Sequence, residues 1–431
     1  MQQEAQLSNE DRPAGRFRNT AYVVNRSSPH FDAAHAAGLM AVHGRSTIGR
    51  GIAWGTGPLD SRSQVIDFVR CSYLGLDNHP FVVAGAMEAI QAHNSLHWSC
   101  ARTRLNFDLI AELETALSEL FCARVLAFST VMLANFGAMP LLASGQLTGG
   151  IKPVVVFDRI AHISLAYHKP VIADETRVET IAHNDIEALE HLCREHPVVA
   201  YVCDGVYSMG GGTAPVKELR RLQERYGLFL YIDDAHGISL FGRNGEGFAR
   251  SQFPKVLGQR TIIAASLAKG FGASGGMLML GTGEHEALLR RYSIPYAFSV
   301  GPNLAAVGAA LGSCRIHRSE ELGERQKRLA QRIEVFDRYV STVEQGNSLP
   351  IRMIFVGSEA KAIAIARELL DAGFYTSVTF FPTVAQGMAG IRVCITADHE
   401  VTDIERLCHC ILERVSDATG KQTAASVSPS M

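Results

Sequence analysis

The segment "ASLAKGFGASGG", Ala265 to Gly276, sets one lysine among small residues and four glycines. It follows the apolar run Ile262 to Ala264, which reads as a buried strand. Lysine is seldom fully buried, because desolvating its ammonium group is costly. Taken alone, Lys269 is either a solvated loop residue or an amine kept neutral enough to form a Schiff base with a carbonyl. Three other segments carry chemistry of a matching kind. "DDAHG" contains Asp233, Asp234 and His236; "DRIAHIS" contains Asp158, His162 and Ser164; "DGVYSMGGGTAP" contains Asp204, Tyr207 and Ser208.

Each of these segments follows a short apolar or β-branched run: "VVVFD" from Val154, "VVAYVCD" from Val198, "LFLYIDD" from Leu228 and "TIIAAS" from Thr261. Runs that are apolar on both faces and separated by helical patterns predict a mainly parallel sheet in an α/β domain. Ligands bind such sheets at the carboxyl ends of the strands. A carboxylate, two imidazoles, hydroxyls and a lysine gathered there could hold a protonated pyridine ring, its phenolic oxygen and a phosphate.

The rest of the chain must position that group. In "DLIAELETALSELF", Leu109, Ile110, Leu113, Ala116, Leu117 and Leu120 form one apolar stripe and predict a helix. From about Leu311 charged helical patterns take over, and a further α/β alternation ends in "GIRVCITADHEVTDIERLCHCILERV". There Thr402 and Glu405 fit a capping box, with Ile404, Leu407, Ile411 and Leu412 facing inward. The expected division is an N-terminal arm with a small-domain segment over 1–64, a large domain over 65–310, a C-terminal small α/β domain over 311–418 and a tail over 419–431. The polar residues 1 to about 28 are expected to fray.

At 431 residues, with 47% hydrophobic and 19% charged residues, this is an ordinary globular composition. A formal charge of -2 argues against an electrostatic grip on nucleic acid or anionic membrane, leaving small molecules as partners. No apolar run reaches a membrane span, and the N-terminus lacks the apolar core of a signal peptide. The nine cysteines are scattered with no zinc-ligand spacing, so no metal is expected, and free thiols fit a cytoplasmic location.

Together, "SYLGLDNHP", "FDRIAHIS", "YSMGGGTAP", "DDAHG…FGRNGEG", "SLAKGFGASGG" and "PTVAQGMAGIRVCITADHE" resemble the α-oxoamine synthases over roughly residues 65 to 415. These are fold-type-I pyridoxal phosphate enzymes. The resemblance implies that Lys269 is the Schiff-base lysine, that Asp233 pairs with the pyridine nitrogen and that His236 lies near the phenolic oxygen. It further implies that His162 stacks on the ring, Ser208 contacts the phenolate side, Ser266 binds phosphate and Arg392 takes the amino-acid carboxylate. The reaction implied is a decarboxylative condensation of an amino acid with an acyl thioester, carried on coenzyme A or an acyl-carrier protein, in a homodimer with shared sites. "FSVGPN", Phe298 to Asn303, resembles the segment that reaches the neighbour's phosphate.

The chain also departs from the family's pattern. Ser72 stands where much of the family has Asn, so substrate contacts there are open. "FSTVMLAN" replaces a glycine-containing phosphate turn, leaving the backbone N–H groups of Val131 and Met132 at a helix start as phosphate donors. "NSLHWSCARTRLNFD", "SLAK" and "AHISL" bring the chain closest to the subgroup that makes long-chain aminoketone autoinducers. Two alternatives are an aminotransferase on the same fold and a catalytically dead relative; intact Lys269, Asp233 and His236 argue against the second.

Overall fold

The structure is a computed structural model and describes residues 19–47, 49–55, 63–210 and 212–418. It divides into two compact units, the larger spanning Cys71–Arg328 and the smaller joining Asn19–Arg70 to the chain from Leu329 onward.

The larger unit is built on seven strands: β1 (Arg124–Phe128), β2 (Val154–Asp158), β3 (Val178–Ile181), β4 (Val199–Asp204), β5 (Phe229–Asp233), β6 (Thr261–Ser266) and β7 (Gly276–Leu280). Their order across the sheet is β1-β7-β6-β5-β4-β2-β3. All neighbours are parallel except β7, which runs antiparallel to both β6 and β1. Successive side chains of a strand face opposite sides. Accordingly Val154 and Val156 enter one apolar cluster, while Val155 and Phe157 enter the other. Ile263 and Ala265 divide from Ile262 and Ala264 in the same way. Burial on both faces is why these runs lack any polar alternation. Each buried Val or Ile contributes on the order of 1.5–3 kcal/mol.

Four helices matter for the site or its support: α1 (Pro80–His93), α2 (Asp108–Phe121), α3 (Val131–Ala143) and α4 (Leu304–His317). The α2 stripe is as the periodicity predicts, with Ile110, Leu113, Ala116, Leu117 and Leu120 buried and Leu109 partly so. α1 and α4 pack at backbone contact through glycines, since a Cβ on Gly85 would overlap the carbonyl of Gly308. α4 therefore belongs to the larger unit, and a boundary at 310/311 would fall inside it. Compactness places the division after Arg70 and after Arg328 instead.

In the smaller unit the strands Ile351–Gly357, Ala389–Cys394 and Ser377–Thr379 form an antiparallel sheet with Ala389–Cys394 central. A second sheet joins the N-terminal strands Gly44–Ser46, Gly51–Trp54 and Ser63–Asp67 to Phe374–Tyr375. Fraying to about residue 28 is not what is observed. A helix spans Thr20–Ala36, capped by the Asn19 side chain, which accepts from the Tyr22 N–H at 3.0 Å. Phe31 of that helix packs edge-on to Phe380, 5.1 Å between ring centres, so contact with a residue far along the chain helps hold it in place. Residues 1–18 and the tail 419–431 lie outside the described residues.

The last helix, Val401–Ala418, begins one residue before Thr402. The Glu400 carbonyl accepts from Asp403 and Ile404, which puts Thr402 inside the first turn rather than at the cap. Ile404, Leu407, Cys408 and Ile411 face inward at i, i+3, i+4 and i+7, and Leu412, just off that stripe, is 40% exposed. Among the described residues no helix is long and apolar enough to cross a membrane.

Candidate active site

The strand ends bring the chemistry of the larger unit together. Asp204 and Asp233 are register partners at the ends of β4 and β5, and Asp233 pairs in turn with Ala264 of β6. Lys269 follows β6 by one turn, closed by the Gly272 N–H to the Lys269 carbonyl at 2.9 Å and the Ala273 N–H to the Leu267 carbonyl at 2.8 Å. Gly272 has φ +77°, and a Cβ there would overlap Leu76, so glycine is required twice over. Ser266 accepts from the Ala268 N–H at 3.2 Å, and Lys269 itself is half-buried.

Asp233 is held rather than merely present. Its Oδ1 accepts from the Ala235 N–H at 3.0 Å, and its Oδ2 accepts from Asn135 Nδ2 at 2.8 Å. Asn135 is fully buried on α3, one turn in from Val131. Its Nδ2 also donates to Ser164 Oγ at 3.1 Å, and its Oδ1 accepts from the Tyr231 hydroxyl at 2.8 Å. Ser164 reaches His162 Nδ1 at 2.9 Å, and the Ser164 backbone N–H donates to the same nitrogen at 3.2 Å. His162 thus caps the short helix Ile163–Ala166 with its ring.

The electrostatics follow from burial among these groups. His162 is exposed as a residue, yet partial desolvation of its ring lowers its pKa from its ordinary value; the Asp233 charge opposes this and the Lys269 charge adds to it. The Asp204 carboxyl is pushed well above the usual carboxylate range, first by burial and then by the Asp233 charge. Asp204 still accepts the His162 backbone N–H at 2.8 Å, which anchors the loop after β2 to the end of β4. His236 is buried with its Nδ1 2.7 Å from the hydroxyl of the buried Tyr73, next to Ser72.

The N-terminus of α3 is set against the start of β7. A Cβ on Gly276 would overlap the backbone nitrogen of Val131. The Thr130 side chain accepts from the Leu133 N–H at 3.2 Å and its carbonyl from the Ala134 N–H at 3.1 Å, so the N–H groups of Val131 and Met132 precede the helical ladder. Ser208 lies in the turn after β4, half-buried. Arg392 lies in the smaller unit, buried on the strand Ala389–Cys394, where it pairs with Met353 and Ser377.

A family model described as aminotransferase class I and II matches residues 63–411. An 8-amino-7-oxononanoate synthase of Maricaulis maris (strain MCS10) is 31% identical over 350 residues, covering 80% of this chain and 85% of that one. Another from Marinomonas sp. (strain MWYL1) is 29% identical over 366 residues, covering 81% and 86%. The chain belongs to the α-oxoamine synthase family. It is a pyridoxal phosphate-dependent acyltransferase. The fold matches a serine palmitoyltransferase variant from S. paucimobilis with a bound PLP–myriocin aldimine, at a TM-score of 0.80 and 21% identity, over 93% of this chain and 100% of that one. It likewise matches the Sphingomonas wittichii serine palmitoyltransferase, at a TM-score of 0.81 and 20% identity, over 93% and 99%.

The residues of this synthase fit that cofactor. Among the described residues, Ser72 Oγ and the Tyr207 hydroxyl are buried without a hydrogen-bond partner in the protein. A buried polar group is costly unless something satisfies it. The glycine at 276 lets backbone N–H groups gather at a helix start, which suits a phosphate. Sequence reasoning assigned no part to Asn135 or Tyr73 in this α-oxoamine synthase, and placed Ser164 at the strand ends without giving it a role. Asn135 did leave a signal as the one hydrogen-bonding side chain in "VMLANFGAMPLLA", because a lone polar residue in an apolar helix must find a partner. Asp158 is occupied otherwise. It accepts from Tyr201 and from the N–H groups of Ile160 and Asn184, and pairs with His183.

Proposed function

We propose that the synthase joins an amino acid to an acyl thioester, giving an α-aminoketone, carbon dioxide and a free thiol. The hydrogen-bonded chain from Asp233 through Asn135 and Ser164 to His162, at the strand ends beside Lys269, carries this reading. Pyridoxal phosphate, when bound, supplies a protonated ring that draws electrons from the amino acid's Cα. Asp233 would keep the ring nitrogen protonated, and His236 would face the phenolic oxygen with Ser208. The N–H groups of Val131 and Met132 and the hydroxyl of Ser266 would hold the phosphate.

Lys269 would hold the cofactor covalently and then, as a free amine, take the proton from Cα. His162 would stack on the ring and fix the direction in which that proton leaves. Arg392 would grip the amino-acid carboxylate with its rigid fork, and Ser72 would line the substrate side. The new Cα–acyl bond forms as the thiolate departs; the carboxyl group leaves as carbon dioxide, and a proton returns to Cα.

A homodimer with sites completed across the subunits fits the exposed apolar side chains around "FSVGPN", where Phe298 is 85% exposed and Tyr292 and Ile294 are exposed with it. Sedimentation showing an active monomer would exclude the dimer. The resemblance of "NSLHWSCARTRLNFD", "AHISL" and "SLAK" to the aminoketone autoinducer synthases supports a long-chain acyl group. An aminotransferase would release no thiol. Purified enzyme given a matrix of amino acids and acyl-coenzyme A or acyl-carrier-protein thioesters should release thiol and a product of matching mass. Amino transfer to a keto acid without thiol release would establish the other reaction.

A further inference from the structure

The cluster of buried groups behind Asp233 does more than fill space. The side-chain amide of Asn135 meets Asp233 Oδ2 and Ser164 Oγ with its nitrogen, and the Tyr231 hydroxyl with its oxygen. A carboxylate can only accept, so the amide nitrogen must face Asp233, and this fixes the orientation of Asn135. Its oxygen then accepts the Tyr231 proton. Ser164 Oγ, already accepting from Asn135, has its own proton free for His162 Nδ1. The Ser164 backbone N–H, which can only donate, meets the same nitrogen. His162 Nδ1 therefore accepts twice, and in the neutral ring Nε2 carries the proton. Asn135, Tyr231, Ser164 and Asp233 are all buried, so this orientation is set in a medium where an unpaired polar group is costly.

We propose that Asn135, locked by Tyr231, is a positioning residue that holds the Asp233 carboxylate for the cofactor's ring nitrogen and, through Ser164, sets the tautomer of His162. This rests on the reading of Asp233 as the partner of that nitrogen. One amide thereby couples the group that keeps the ring protonated to the group that stacks on it. The coupling also explains why α3 turns a polar side chain into an apolar core: the helix that begins at the phosphate end delivers Asn135 one turn later to the nitrogen end.

The test uses binding rather than turnover. Apoprotein is titrated with pyridoxal phosphate and with its deaza analogue, in which a carbon replaces the ring nitrogen. A buried carboxylate facing that nitrogen should make the wild type prefer pyridoxal phosphate by about 10² or more. Asp233→Asn should abolish most of that preference; if it does not, the reading of Asp233 is wrong and the proposal falls with it. Asn135→Leu, of similar size, should reduce the preference at least tenfold, whereas loss of affinity for both compounds by the same factor would mean a purely structural role and overturn the inference. Tyr231→Phe removes only the hydroxyl that orients the amide and should lower the preference severalfold. Where Asn135→Leu fails to fold, an unchanged preference in Tyr231→Phe overturns the proposal instead. Nitrogen-15 spectra of the apoprotein, assigned with His162→Gln, should show the proton of His162 on Nε2; a proton on Nδ1 would contradict the chain of donors.

Discussion

Gly276 and the backbone nitrogen of Val131 stand so close that a single added methyl group would overlap the peptide between Thr130 and Val131. The first residue of β7 thus fixes where α3 begins, and with it the N–H groups of Val131 and Met132. Gly276→Ala should push the helix start outward. The expected result is at least a tenfold loss of pyridoxal phosphate affinity, with a stability loss of about 1–3 kcal/mol from overpacking. Titration of the folded variant with cofactor gives the answer, and unchanged affinity would mean that the phosphate is held elsewhere.

Lys269 follows β6 in a turn closed by backbone hydrogen bonds to Gly272 and Ala273. Borohydride treatment of the cofactor-loaded protein should fix pyridoxal phosphate to the peptide containing Lys269. Lys269→Ala should lose the label. A label on any other lysine would remove the basis of the proposed chemistry.

His162 should matter to proton removal more than to binding, because stacking directs the Cα–H bond while attachment of the amino acid does not need that alignment. His162→Ala should still bind cofactor and amino acid, yet exchange the Cα proton with solvent more slowly by about 10²–10³. Deuterium incorporation into the bound amino acid measures this. Equal exchange in variant and wild type would leave His162 only its structural part as the cap of Ile163–Ala166.

Acid should loosen the larger unit through His317. This ring is buried, with Nδ1 2.9 Å from the Ser313 carbonyl and Nε2 2.8 Å from Ser239 Oγ, and burial lowers its pKa to about 4. Since a carbonyl only accepts, Nδ1 donates and Nε2 takes the Ser239 proton. In the unfolded chain a histidine titrates near 6.5, so below that pH the unfolded state binds the extra proton. The stabilisation is complete above about pH 6.5 and is lost as pH falls towards 4. At pH 5 the loss is roughly 2 kcal/mol relative to neutral pH. His399 of the smaller unit, lowered to about 3 by burial, acts with the same sign. Melting temperatures between pH 7.5 and 5 should fall, and His317→Gln should fall less steeply; equal slopes would show that His317 does not contribute.

Much of this protein could be read from its residues. The four runs that became β2, β4, β5 and β6 were legible because a strand buried on both faces must be apolar throughout. Lys269, Asp233, His236 and His162 stood out for the opposite reason, as polar groups placed where such runs end. Position and type alone thus pointed to the fold class and to a site at the strand ends, while the class of cofactor came from the resemblance of the motifs to the α-oxoamine synthases.

What only the tertiary structure decided depends on contacts distant in sequence. The partnership of Asn135 with Asp233 joins residues 98 positions apart, and no local pattern encodes which buried donor meets which acceptor. The same holds for the tautomer of His162, which follows from the donors placed around its ring. α4 is almost uniformly buried, so its sequence carries no stripe to say what it faces, and only its tertiary packing, through glycine contact with α1 and Leu304, Val307 and Ala310 in the core, shows that it completes the larger unit. The N-terminal helix lay in a segment expected to fray, yet it is held by contacts such as that of Phe31 with Phe380 from the far end of the chain. Periodicity records that a side chain is buried; it does not record against what, because burial free energy is non-directional while hydrogen bonds and glycine contacts require particular partners.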